Sequence, residues 1–261
     1  MATLPRGLGW KKDPPRPFGA KPDHDAAVTL GTAPPPPAAS NMHLVLSILD
    51  QGQASACVAH AIPQIVRMAH ARAGIDSPQL MSRLFGYYCS RAIHGAQHVD
   101  EGTYLRCFFQ ALNQVGFCPE RLWPYVLDNI NEMPSSIAER AAFDQRSPTV
   151  YERITSVGAA RVDDVKRAIA AGYGVAFGTL VSEDFCADRL GSGPIEPPIG
   201  LAIAGGHALC LAAYQGDSFT VVNSWSEDWA DAGTCQFSAD YISWAMSEDF
   251  WLCAQAPAYS E

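Results

Sequence analysis

The sequence predicts an α+β fold of two lobes, helical in the first half and antiparallel-stranded in the second. Helix-period apolar stretches occupy residues 55–115, and strand-like apolar runs with turn punctuation dominate beyond residue 173. A polar connector at 126–148 lies between the two halves, the order expected of an α+β chain. At 261 residues and 28.1 kDa the chain can bury a core as one large domain or two fused lobes. Its 48% hydrophobic content, against 17% charged residues, excludes a disordered chain.

Residues 1–41 read as a proline-rich arm, with the run Pro34-Pro35-Pro36-Pro37 and little periodicity. Residues 42–261 read as the folded domain, with a helical lobe at about 50–125 and a β-rich lobe at about 150–255. The turn Asp50-Gln51-Gly52-Gln53 leads into a helix expected over Ser55 to Ala73, capped by Ser55, stopped by Gly74 and interrupted by Pro63. Further helices are expected over Ser77–Ala92 and Thr103–Val115, and the segment Trp123-Pro124-Tyr125 closes this half. A helix over Val162–Ala171 and a strand over Tyr173–Val181 follow. Ala208–Tyr214 and Ser218–Asn223, joined by Gln215-Gly216-Asp217, read as a hairpin.

Several function classes are disfavoured. A formal net charge of −9 argues against a nucleic-acid surface. No window is long and apolar enough to predict a membrane span. The amino-terminal stretch has basic residues but no apolar core of a Sec signal, so a cytoplasmic protein, or one exported or delivered without such a signal, is expected. The eight cysteines are scattered and mostly set in apolar runs, which reads as free thiols made in a reducing compartment.

One of them stands at a helix start. Cys57 follows Gly52 and the small residues Ala54, Ser55 and Ala56, where unpaired N–H groups favour a thiolate and a substrate backbone could approach closely. A thiolate nucleophile needs a base, and the base an orienting partner. Of the seven histidines, His24 and His43 lie in or beside the arm, His60 and His70 on the Cys57 helix, and His94 and His98 in a polar loop. His207 follows Gly205-Gly206 at the start of the hairpin, whose second strand ends at Asn223. A turn centred on Gly216 brings 207 and 223 within a residue or two of facing each other, so Asn223 could hold one ring nitrogen while the other serves the thiol.

Gln51-Gly52-Gln53-Ala54-Ser55-Ala56-Cys57 resembles the nucleophile segment of papain-like cysteine peptidases, in which a glutamine precedes the cysteine by six positions. Gly206-His207-Ala208 is similar to that family's histidine segment, and Asn223-Ser224-Trp225 with Trp229 to its asparagine segment. Trp123-Pro124-Tyr125 and Asp184-Phe185 also match, and the resemblance covers roughly residues 44–253. It implies a papain-like two-lobe fold with a cleft between the lobes. It implies a cysteine endopeptidase using Cys57 as nucleophile, His207 as base and acid, Asn223 as orienting group and Gln51 as oxyanion donor. No metal or organic cofactor is implied, and the partner is a peptide or protein substrate. Gly102 resembles the glycine that pairs with substrate backbone, with Thr103, Ala208 and Trp225 as further substrate-binding positions.

The departures are Val58 where the family has tryptophan, Ala54 where many relatives have a disulfide cysteine, and Ser226 and Ala230 in place of glycines. The long helical propeptide of eukaryotic members is also missing. The arm's extended, low-entropy character and its position just before the Cys57 segment suggest that it lies in or near the cleft and restrains activity. Acyl transfer or deamidation on a specific partner protein, and a catalytically weak binding module, are the alternatives on the same fold.

Overall fold

The computed structural model describes residues 6–17, 19–75 and 78–256. The arm contributes a two-residue strand β1 (Trp10–Lys11), a single helical turn α1 (Ala27–Leu30) and strand β2 (Ala38–Ser40). The helical half follows with α2 (Val58–Arg72), α3 (Arg83–Ala92), β3 (Thr103–Tyr104), α4 (Leu105–Gln114) and α5 (Ser136–Asp144). The second half holds β4 (Val150–Ile154), α6 (Gly158–Ala170), β5 (Val175–Ser182), α7 (Glu183–Cys186), β6 (Ile203–Gln215) and β7 (Ser218–Val222). It ends with β8 (Thr234–Ser238), α8 (Ala239–Ser243) and β9 (Glu248–Gln255). Among the described residues no helix is long and apolar enough to cross a membrane, and all eight cysteines are free thiols.

The main sheet has the order β4-β9-β5-β6-β7-β8, every pair antiparallel, with β2 laid on the far end of β6. One hydrophobic cluster joins α2 and α4 to the sheet through Ala176, Ala208, Cys210, Val222 and Trp251. A second packs the other sheet face against α6 and α8 through Phe177, Leu209, Phe219, Trp225 and Phe237. Helix α2, with Cys57 at its head, is therefore wedged between the other helices and the sheet. It is buried along nearly its whole length.

Several boundaries differ from the sequence expectation. The Ser55 side chain does not cap α2. Cys57 occupies the N-cap with helical dihedrals, and the Ser55 N–H is instead held by the Asp100 carboxylate at 3.0 and 3.1 Å. Pro63 sits inside the helix, where it forgoes one hydrogen bond, to the Ala59 carbonyl. The expected start of the second helix at Ser77 lies outside the described residues. The observed helix begins at Arg83, capped by the Ser82 hydroxyl, which accepts from the Phe85 N–H at 3.1 Å. Thr103 and Tyr104 form a strand rather than the first turn of α4. The connector hides α5, whose buried face is only Ala138 and Ala142, one turn apart. Helix α6 starts four residues before Val162, at Gly158.

Within α3, Gly86 faces a fully buried ring. A Cβ there would lie 2.3 Å from Cζ of Phe108. Alanine gains roughly 1 kcal/mol of helix propensity over glycine, but overpacking a closed core costs about 1–3 kcal/mol. Gly86→Ala is thus expected to destabilise the protein by on the order of 1–2 kcal/mol, read as a lowered urea midpoint with an unchanged m-value.

The arm is fastened along its length. Asn41 donates to the carbonyls of Ile169 and Tyr173 at 2.8 and 3.1 Å, anchoring it to the end of α6. Ala26 is fully buried, and Asp23 is paired with Arg16, Arg106 and Arg153. Deleting residues 1–40 would remove a sheet strand and this ionic cluster together. Single substitutions are the better probes of the arm.

Candidate active site

Cys57 is fully buried at the head of α2, with its carbonyl accepting from the N–H groups of His60 and Ala61 at 3.0 and 2.9 Å. The turn before it depends on Gly52 at φ +59°, whose N–H is held by Asp50 Oδ1 at 2.9 Å. Burial pushes the Cys57 thiol up to about 12, against the pull of backbone N–H groups of Ala208, Val58 and Trp10. Two of those N–H groups come from other segments. Ala208 follows His207 on β6, and Trp10 belongs to the arm.

His207 is fully buried, and Nε2 is 2.8 Å from Asn223 Oδ1. The β6–β7 register pairs Cys210 with Val222, so its continuation sets Leu209 against Asn223. The contact between His207 and Asn223 is diagonal, two residues off the direct register, within the interval the turn at Gly216 allows. Asn223 Oδ1 also accepts the Ser224 N–H at 2.8 Å, which fixes the amide's orientation. Nδ1 of His207 is buried with no hydrogen-bond partner among the described residues. Burial holds the imidazole down at about 4, with the Asn223 hydrogen bond acting in the opposite sense.

Trp225 stacks on the imidazole, with centroids 4.5 Å apart and planes inclined by 20°. Trp229 meets Trp225 edge-on at 5.4 Å, and Phe185 touches both rings. This aromatic wall keeps water from the His207–Asn223 bond. His60, the histidine nearest Cys57 in sequence, has its ring on the carbonyls of Ala56 and Asp50 and edge-on to Tyr125.

Gln51 is tied to the asparagine segment. Its N–H donates to the Ser224 carbonyl at 2.9 Å, and the Ser224 hydroxyl donates to Gln51 Oε1 at 2.6 Å. That bond turns Nε2 outward, where it donates to Gly7 O at 3.0 Å and Ala54 O at 2.8 Å. Trp225 Nε1 converges on the same Gly7 oxygen at 3.2 Å. Two side-chain N–H groups thus meet at one carbonyl of the arm.

Gly102 and Thr103, two of the other substrate-binding candidates, also touch the arm. The Thr103 N–H donates to Gly9 O at 3.0 Å, within the parallel pair of β1 and β3. Gly102 is at φ +85°, and a Cβ there would lie 2.0 Å from Gly9 O. The Gly9 N–H donates to Gly206 O at 3.1 Å, and the Gly7 N–H to Gly52 O at 3.1 Å. Sequence reasoning did not single out Gly7, Gly9 or Trp10. The alternation Gly7-Leu8-Gly9-Trp10 was the available signal, a stretch that could lie flat against another backbone. It also passed over Asp13 and Asp249, which meet across 236 residues of sequence.

No family model matches the chain. It is 29% identical over 216 residues to an uncharacterized peptidase C1-like protein of Acanthamoeba polyphaga mimivirus, covering 79% of this chain and 69% of that protein. Its fold is similar to that of xylellain, a cysteine protease from Xylella fastidiosa, with a TM-score of 0.79 at 23% identity over 98% of this chain and 99% of the other. It is also similar to a Carica candamarcensis cysteine protease in complex with E-64, with a TM-score of 0.63 at 16% identity over 85% and 99% of the two chains.

Proposed function

As a member of the papain-like cysteine peptidase family, this chain, we propose, is an endopeptidase acting through a thioester on Cys57, restrained by its own amino-terminal arm. Cys57 Sγ attacks the scissile carbonyl carbon as its proton passes to His207. His207 then protonates the leaving amine as the C–N bond breaks. Water, deprotonated by His207, cleaves the thioester and the thiol is restored. Asn223 holds the ring by Nε2, so Nδ1 is the nitrogen left for the thiol. Gln51 Nε2, with the Cys57 backbone N–H, receives the oxyanion, and Trp225 Nε1 adds a third donor on that side. Each such donor is worth roughly 2.7–4 kcal/mol in acyl transfer.

The observation that carries this reading is the buried His207–Asn223 hydrogen bond, with the other ring nitrogen unpartnered. The arm's contacts support the restraint. From the arm, the Trp10 N–H faces the thiol, so the sulfur meets a hydrogen-bond donor there. Burial holds the thiol protonated and the imidazole neutral, so the resting pair is not the reactive thiolate and imidazolium. Contacts of the arm on both flanks, at Gln51 and at Thr103, fit a groove that takes the middle of a peptide.

E-64 tests the proposal, because an epoxysuccinyl group reacts with an activated thiolate. Trp10→Ala, which removes the arm's main side-chain anchor, is expected to label at one site at least tenfold faster than the parent. Cys57→Ala in that background abolishes labelling, and His207→Ala slows it. Labelling that survives Cys57→Ala would refute the assignment. Equal rates with and without Trp10 would refute the restraint.

A further inference from the structure

The arm's tryptophan sits in a slot built for a flat ring. A Cβ on Gly178 would lie 1.9–2.3 Å from three atoms of the Trp10 indole, and one on Gly206 would lie 3.0 Å from a fourth. Neither φ lies in the left-handed region, so the closeness of Trp10 rather than backbone conformation requires glycine, through the indole at Gly178 and through the Trp10 carbonyl oxygen, 2.5 Å away, and the ring edge at Gly206. Gly178 lies on β5 directly across from Ala208 on β6, next to the pair Thr179 and His207. The slot therefore opens beside the catalytic cysteine and histidine.

Its inner end is polar. Asp249 is 3% exposed, and its Oδ2 accepts two hydrogen bonds, from Trp10 Nε1 at 3.3 Å and from the Asp13 N–H at 2.7 Å. Both donors belong to the arm. Its other oxygen is held by Arg153, a residue of the body. When the arm moves aside, Oδ2 loses both donors at once, while the charge of Asp249 stays compensated by Arg153. A buried acceptor left bare costs about 1–3 kcal/mol.

We propose that this slot, bounded by Gly178, Gly206 and Asp249, selects a tryptophan side chain of the substrate, with Trp10 as its stand-in at rest. The inference rests on the peptidase reading and adds the substrate class to it. A phenylalanine or leucine fills the apolar part but leaves Oδ2 without a donor. A site built around a hydrogen bond rejects analogues that lack it more strongly than an apolar pocket rejects a wrong size. Arginine or lysine brings a second cation to a carboxylate already paired with Arg153, so a neutral N–H donor on a flat ring fits best.

A positional-scanning fluorogenic peptide library, cleaved by the Trp10→Ala protein, tests the selection. One position beside the scissile bond is expected to favour tryptophan at least tenfold over phenylalanine. Gly178→Val in the same background, shown to fold by a melting scan, is expected to erase that preference. Cleavage with no tryptophan preference, or with preference for arginine or lysine at that position, would overturn the inference. A second measurement needs no turnover. A synthetic peptide of residues 6–13 should bind Trp10→Ala at least tenfold more tightly than the same peptide with phenylalanine at position 10, and equal binding would refute the slot. If the protein labels with E-64 but cleaves nothing in the library, the peptidase reading fails, and the peptide comparison still decides the slot.

Discussion

Replacing His207 by alanine in the arm-opened Trp10→Ala protein is expected to lower kcat by on the order of 10³ to 10⁴, the upper part of the 10²–10⁴ range a positioned general base and acid supplies. In the proposed reaction His207 takes the proton of Cys57. One of its ring nitrogens is committed to Asn223 at 2.8 Å, and the other has no partner. With no base, a thiol that burial holds protonated has nowhere to send its proton. Asn223→Ala should cost less, about 10²-fold, because Trp225 stacked at 4.5 Å still restrains the ring. The ordering of the two variants therefore separates proton transfer from orientation. Steady-state kinetics on a fluorogenic peptide, with a melting scan to show that each variant folds, makes the measurement. A His207→Ala kcat within tenfold of the parent would remove His207 from the reaction.

The placement of Cys57, His207 and Asn223 was legible because its spacings are local or cross a single hairpin. Gly216 sets the β6–β7 turn, so the relation of His207 to Asn223 followed from counting residues, to within the two-residue offset observed. Cys57 was marked by its place at a helix start, although Ser55, the expected cap, is spent on Asp100. The arm was legible only as composition. Its docking beside Cys57 uses backbone groups of Gly7 and Gly9 and one large side chain, none of which leaves a period in the sequence. Its deepest anchor joins Trp10 to Asp249 across 239 positions, which no local pattern encodes. Helix α5 was missed for a different reason. Only two alanines of it are buried, too little apolar surface to stand out within a polar connector.

Replacing Asp13 by asparagine is expected to change how arm docking responds to pH, and the sign follows from two groups that pull in opposite directions. Burial, and then the neighbouring Asp249 carboxylate, raise Asp13 to about 7, against the pull of Arg106 and Arg153. On a released arm Asp13 would titrate near 3.8. The docked state therefore prefers the neutral acid, and docking weakens as pH rises from about 4 through about 7 and levels off above that. Burial also raises Asp249, against the arm's own hydrogen bonds to it from the Asp13 N–H and Trp10 Nε1. His207 opposes Asp13. Docked, it is held at about 4 by burial; rehydrated, it returns toward 6.5, so docking weakens as pH falls through that interval. Asp23 is held below its ordinary value by hydrogen bonds from Arg16 and Arg106 that outweigh its burial, so it acts only at lower pH. The parent protein should show a shallow net dependence. His207→Ala, which leaves the aspartates alone, should lose docking by about ten- to a hundredfold between about pH 4 and about pH 7, a discounted fraction of the full linkage. Adding Asp13→Asn to that variant should flatten the slope. It should also lower docking at every pH, because an amide cannot accept from both the Arg106 N–H and Trp251 Nε1 as the two oxygens of Asp13 do, at 3.1 Å each. Hydrogen-exchange protection of the Gly7 and Gly9 amides, corrected for intrinsic exchange, reports docking directly. The slope is the decisive quantity. Identical slopes in His207→Ala and in the double variant would show that Asp13 does not gate the arm.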